Sequence, residues 1–129
     1  MRSFVWVLAG CLLLTMLATA CGGNAENAGS TKATAYKPTL DVKLDIAGSR
    51  VTVKVDTDMQ IVADHFGKER AEGEGHIHMY LDDGEKMMLQ QKEKTFDGLA
   101  AGAHTLKISL HNNDHSPYDV TKTIDFDIP

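Results

Sequence analysis

The stretch Thr39-Leu40-Asp41-Val42-Lys43-Leu44-Asp45-Ile46, followed after Ala47-Gly48-Ser49 by Arg50-Val51-Thr52-Val53-Lys54-Val55, decides the fold class. Apolar residues hold every second position in both runs. Successive side chains of a strand point to opposite faces, so this spacing gives each run one apolar face and one polar face. The short link containing Gly48 marks a hairpin between them. Outward from there the period continues. Met59–Ala63 has the length of a short strand, and Asp64–Gly75 is a charged loop punctuated by glycine. His76–Leu81 alternates with Ile77, Met79 and Leu81 on one face, and Asp82-Asp83-Gly84 closes it as a turn. Lys86–Gln91 and Thr95–Leu99 are short strands. His104–His111 turns Leu106, Ile108 and Leu110 inward. After the loop Asn112–Pro117, a last strand carries Val120, Ile124, Phe126 and Ile128, with Lys122 breaking its pattern. No segment has a 3.6-residue period. The expectation is all-β: an immunoglobulin-like antiparallel β-sandwich of seven or eight strands over residues 36–129.

With 129 residues, 43% of them apolar and 24% charged, the chain has the length and composition of one globular domain, neither collagen-like nor disordered throughout. A net charge of −5 argues against a nucleic-acid partner, which needs clustered Lys and Arg for phosphate.

The first twenty residues read as an export signal. Met1-Arg2 is a short basic start, Ser3–Leu17 is almost wholly apolar, and Ala18-Thr19-Ala20 are small. A spanning helix needs about 20 apolar residues, and this run is shorter. Cys21-Gly22-Gly23 resembles the lipobox of bacterial lipoproteins, in which the Cys is lipidated and becomes the new N-terminus. Ala18 stands where that family usually has Leu. Leu8-Ala9-Gly10-Cys11 fits by letters, but it leaves only Ser3–Val7 as an apolar core, against the roughly 7–15 residues required. Cys21 is therefore the expected lipidation site, with Cys11 and simple secretion as alternatives. Gly22–Ala35 is small and polar, the composition of a flexible tether. The expected organisation is a lipoprotein signal peptide (1–20), a lipid-anchored tether (21–35) and the sandwich (36–129). The expected location is extracytoplasmic, on the bacterial cell membrane.

Both cysteines and the single Trp lie in or beside that export segment. The sandwich region thus has no thiol for a disulfide, a Cys nucleophile, a Cys-bound zinc or a blue-copper site. It also has no indole on which to stack a sugar.

Six histidines fall in the same region: His65, His76, His78, His104, His111 and His115. His76 and His78 are two apart on one strand, so they share a face, and with Ile77 and Met79 inward that face is the outer one. In an immunoglobulin-like topology His76–Leu81 is strand C and His104–His111 is strand F, antiparallel neighbours. The start of one then lies beside the end of the other, bringing His76, His78, His111 and the loop residue His115 to one end of the sandwich. His65 borders that end on the long loop, and His104 sits at the opposite end. Neutral imidazoles in such a group suit copper or zinc, so His76, His78, His111 and His115 are the candidate metal ligands. Binding by these ligands is expected to fade as pH falls through about 6.5, where imidazole protonates.

Each also has a plainer role. His-x-His on a strand is often a solvated polar face, and His115 in Asn112-Asn113-Asp114-His115-Ser116-Pro117 can simply support a turn. His111 and His65 taken singly are ordinary surface residues. His104 sits where sandwiches place a corner residue that bonds back to the chain, and is expected to be structural. Met79, Met87 and Met88 are expected to pack rather than bind metal.

Gly75–Gly84, Gly98–Leu106 and Asn112–Pro117 together resemble a pattern in exported, mostly uncharacterised bacterial domains of immunoglobulin-like type. The chain is also loosely similar to the copper-handling sandwiches of the CopC and YtkA-like type, though it lacks their N-terminal His and Met-rich loop. That resemblance implies a fold and a metal-handling role. No nucleophile–base pair with an oxyanion hole and no phosphate-binding loop is visible, so an enzyme is not expected. The expected function is metal buffering or delivery through a copper or zinc ion, with a metal-handling protein as partner. The alternative is a metal-free surface module binding a protein or a cell-wall component.

Overall fold

The computed structural model describes residues 35–129. The expected signal peptide, Cys11, Cys21 and all of the tether but Ala35 lie outside the described residues.

Seven strands follow in chain order: β1 (Asp41–Ala47), β2 (Arg50–Asp56), β3 (His76–Leu81), β4 (Met87–Leu89), β5 (Glu93–Phe96), β6 (Gly102–His111) and β7 (Pro117–Ile128). They form two antiparallel sheets, β1-β2-β5 and β4-β3-β6-β7. This is the all-β, immunoglobulin-like sandwich anticipated from the alternation, with β3 and β6 as the neighbouring C and F strands. The first hairpin closes by pairing Ala47 with Arg50, leaving Gly48 and Ser49 as a two-residue loop. Gly48 has φ +60°, a conformation such tight hairpin loops require and glycine adopts without strain.

The core lies between the sheets and is built from the expected positions: Val51, Val53 and Val55 against Ile77, Met79, Leu106, Ile108, Leu110, Phe126 and Ile128. Val42 and Leu44 on β1 are only half-buried, and Ile46 is 39% exposed, because β1 is an edge strand. Lys122, which breaks the β7 pattern, reaches across to β1 and donates to Asp41 Oδ1 at 2.6 Å.

Three segments differ from expectation. The strand expected at Thr95–Leu99 lies instead at Glu93–Phe96. Met59–Ala63 is not a strand. Met59 is fully buried, Gln60 forms an isolated bridge to Glu74, and a 3-10 turn follows at Ala63–His65. Its backbone bonds go to the far end of its own loop, Gln60 N–H to Gly73 O and Gly75 N–H to Gln60 O, so no sheet neighbour is needed. The last strand begins at Pro117, inside the expected loop. Proline lacks a donor but is tolerated as the first residue of a strand. A bulge follows, the register stepping from His111↔Pro117 to Leu110↔Val120.

Three features position the candidate site. The β3–β6 register sets His76 opposite His111 and His78 opposite Ser109, all on the sheet face turned away from the core. The β2–β3 loop crosses that face. At its end Gly75 passes so close to β6 that a Cβ there would overlap the His111 carbonyl oxygen.

Candidate metal centre

His76 and His78 do not lie on a solvated strand face. They are 0% and 3% exposed, although their parity turns them away from the core. The cover is the β2–β3 loop, which places the Phe66 ring 4.3 Å from the His76 ring and 5.2 Å from the His115 ring. The loop is pinned there by Gly67 N–H, which donates to Asn113 O at 2.8 Å. Gly67 has φ +76°, and a Cβ there would stand 3.8 Å from His115 Nε2. Phe66 and Gly67 did not emerge from the sequence pattern. The available signal was a lone aromatic in an otherwise charged loop.

One ring nitrogen from each of His76, His78 and His115 lies within 4.8 Å of the others. His76 Nε2 is the common point, 2.9 Å from His78 Nε2 and 3.1 Å from His115 Nδ1. Two nitrogens each about 2.0–2.1 Å from a single ion are separated by about 2.9 Å at right angles and about 3.4 Å in a tetrahedron. The two pairs that share His76 Nε2 fall in that interval, and all three nitrogens lie within 4.8 Å, so a small closure of His78 and His115 toward one another suits a copper or zinc ion. His76 Nδ1 is buried with no hydrogen-bond partner.

His111 is brought beside the group in a different way. Its ring stacks on His78 with centroids 3.7 Å apart and planes at 26°. Its nitrogens face Ser109 Oγ at 3.0 Å and the His115 carbonyl at 3.0 Å. His65 does not join the cluster: Nδ1 pairs with Glu74 Oε2 at 2.6 Å, and that oxygen also accepts from Asn113 Nδ2 at 3.0 Å. His104, at the far end of β6, has Nδ1 2.6 Å from Asp82 Oδ2 and Nε2 2.7 Å from Ala100 O. It ties a corner of the sandwich, as its position in the sequence implied. Met79 is fully buried in the core. Met88 departs from expectation: paired with His78 in register on the short edge strand β4, it is 47% exposed and does not pack inward.

Burial pushes the His76 imidazole down to about 4 and the His78 imidazole to about 3, with the neighbouring histidines adding to the effect. Both stay neutral well below pH 6.5, the protonation state in which an imidazole can bind a cation. The acid loss of binding expected from ordinary histidines moves to lower pH for these two ligands. The His104 imidazole is shifted the other way, raised by the Ala100 carbonyl and the Asp82 carboxylate.

Beyond the cluster, a cleft of about 400 Å³ is lined by Tyr36, Arg70, Glu72, Asn112, Pro117 and Tyr118, among others. The two tyrosine rings meet edge to face at 5.8 Å.

No family model and no curated protein matches the chain. Among solved structures it is similar to the PKD1 domain from Vibrio cholerae metalloprotease PrtV, at 12% identity and a TM-score of 0.49, covering 72% of this chain and 98% of that one. It is likewise similar to the PKD1 domain of Vibrio anguillarum Epp, at 14% identity and a TM-score of 0.47, covering 73% and 98%.

Proposed function

We propose that the chain is an exported lipoprotein, anchored outside the cytoplasm through Cys21, whose sandwich binds a copper or zinc ion for buffering or delivery. His76, His78 and His115 supply the ligands, with His111 beside them. The observation that carries this reading is the convergence of three ring nitrogens, two of them on buried imidazoles held neutral. Neutral imidazole is a good ligand for these borderline ions, and a buried, neutral pair avoids most of the proton competition that weakens binding in acid.

A ligand of the native state raises its stability by mass action. Melting of the full-length chain, purified without a His tag, is expected to shift up by several degrees with one equivalent of Cu(II) or Zn(II). The His76→Ala/His78→Ala variant is expected to lose the shift. No shift with either ion would end the metal reading. The alternative, a metal-free surface module binding a protein or cell-wall component, would then rest on the Tyr36–Tyr118 cleft.

A further inference from the structure

Four histidines meet at this end of the sandwich, but only three turn a ring nitrogen toward one another. His111 Nδ1 faces a carbonyl oxygen, which can only accept, so this nitrogen carries the ring proton. In the neutral ring Nε2 then has the lone pair, and Ser109 Oγ–H donates to it. Both nitrogens are committed. The ring also lies flat on His78, and a nitrogen lone pair lies in its ring plane, so the stack does not direct His111 at an ion held on His78 Nε2. Through Nδ1–H it instead holds the backbone of His115, whose side chain is a ligand.

Resting on the metal reading above, we propose that an ion on His76, His78 and His115 keeps one coordination position open to an external monodentate nitrogen or oxygen donor, with His111 as a positioning residue. The position opens on the solvent side. His76 and His78 are buried while His115 is exposed, so an incoming donor reaches the ion past the His115 loop. Three protein ligands with an exchangeable fourth position are the pattern of metal sites that hand over or activate a bound group, whereas closed four-ligand sites are structural. A delivery protein needs the open form, because transfer proceeds by a donor from outside entering the coordination shell.

The test uses full-length protein loaded with one equivalent of Cu(II), with imidazole as the external donor. Electron paramagnetic resonance is expected to show three coupled ring nitrogens, rising to four on saturation with imidazole. His111→Ala is expected to keep three nitrogens but bind Cu(II) about 10–100-fold more weakly, the usual cost of losing a residue that orients a ligand. His111→Asn, which keeps a donor near the Nδ1 position, is expected to recover most of that loss. Four nitrogens before imidazole is added, falling to three in His111→Ala, would make His111 a ligand and overturn the inference. So would no response to imidazole, or undiminished affinity in His111→Ala. Failure of the unaltered chain to bind Cu(II) at all is a separate result, seen before any variant is made. It removes the metal reading and this inference with it.

Discussion

His115 sits at φ +67°, in the left-handed region that a side chain other than glycine enters only at a cost. The loop holds it there. His115 N–H donates to Asn112 O at 3.0 Å, Asn112 N–H donates to Ser116 O at 2.8 Å, and Asp114 accepts from Ser116 N–H at 3.0 Å. None of these bonds uses the imidazole. As a turn, the loop would be served better by glycine, so the imidazole is explained by what its ring touches, not by the turn. His115→Gly is therefore expected to leave the metal-free chain as stable as before or more so, by up to about 1 kcal/mol as the strained backbone relaxes. It is also expected to abolish stabilisation by Cu(II) or Zn(II). Calorimetry with and without the ion separates the two effects. A variant that lost stability without metal and kept its response would make His115 a turn residue only.

At the scale of elements, the site is made by a loop laid over a strand pair, and these two parts were not equally legible. The strands carry a period of two because one face is dry, so β1, β2, β3 and β6 could be read from their alternation. The partnership of β3 and β6 followed from topology, which is why His76, His78, His111 and His115 could be placed at one end. The β2–β3 loop has no period, since all but one of its backbone bonds close on itself and its contacts are irregular, so nothing in the spacing told that Phe66 would cover the histidines. For the same reason His76 and His78 were legible as outward-facing but not as buried. If Phe66 is what dries the site, Phe66→Ala should let the His76 imidazole rise from about 4 toward its ordinary 6.5. The expected stability loss is about 1–2 kcal/mol, less than for a fully buried ring because Phe66 is half-buried. Following the imidazole C–H resonances through a pH titration gives the answer. An unmoved His76 would assign the burial to the sheet and the His115 loop instead.

For the whole domain, histidines at its two ends act on stability with opposite sign. His76 and His78 are depressed, so their contribution is complete above the unfolded value of about 6.5 and is lost as pH falls from there toward 4 and 3. In that window the folded chain keeps both rings neutral while the unfolded chain protonates them, and unfolding takes up nearly two protons. His104 is raised, so its contribution is complete below about 6.5 and is lost as pH climbs through its folded value. Glu74, Asp82 and Asp114 are lowered by their hydrogen bonds, and their contributions disappear only on entering the carboxylate range near pH 4. The metal-free full-length chain should therefore melt at steadily lower temperature between pH 6.5 and pH 4.5, before its carboxylates titrate. His76→Asn/His78→Asn should flatten that slope. His104→Asn should leave it at least as steep, since it removes only a group that favours the folded state in acid. Melting curves in a chelating buffer across this range, for the three chains side by side, decide the point. Equal slopes in all three would mean that the buried pair takes up protons in the folded state as readily as in the unfolded one, and the dry, neutral cluster would not describe the molecule in water.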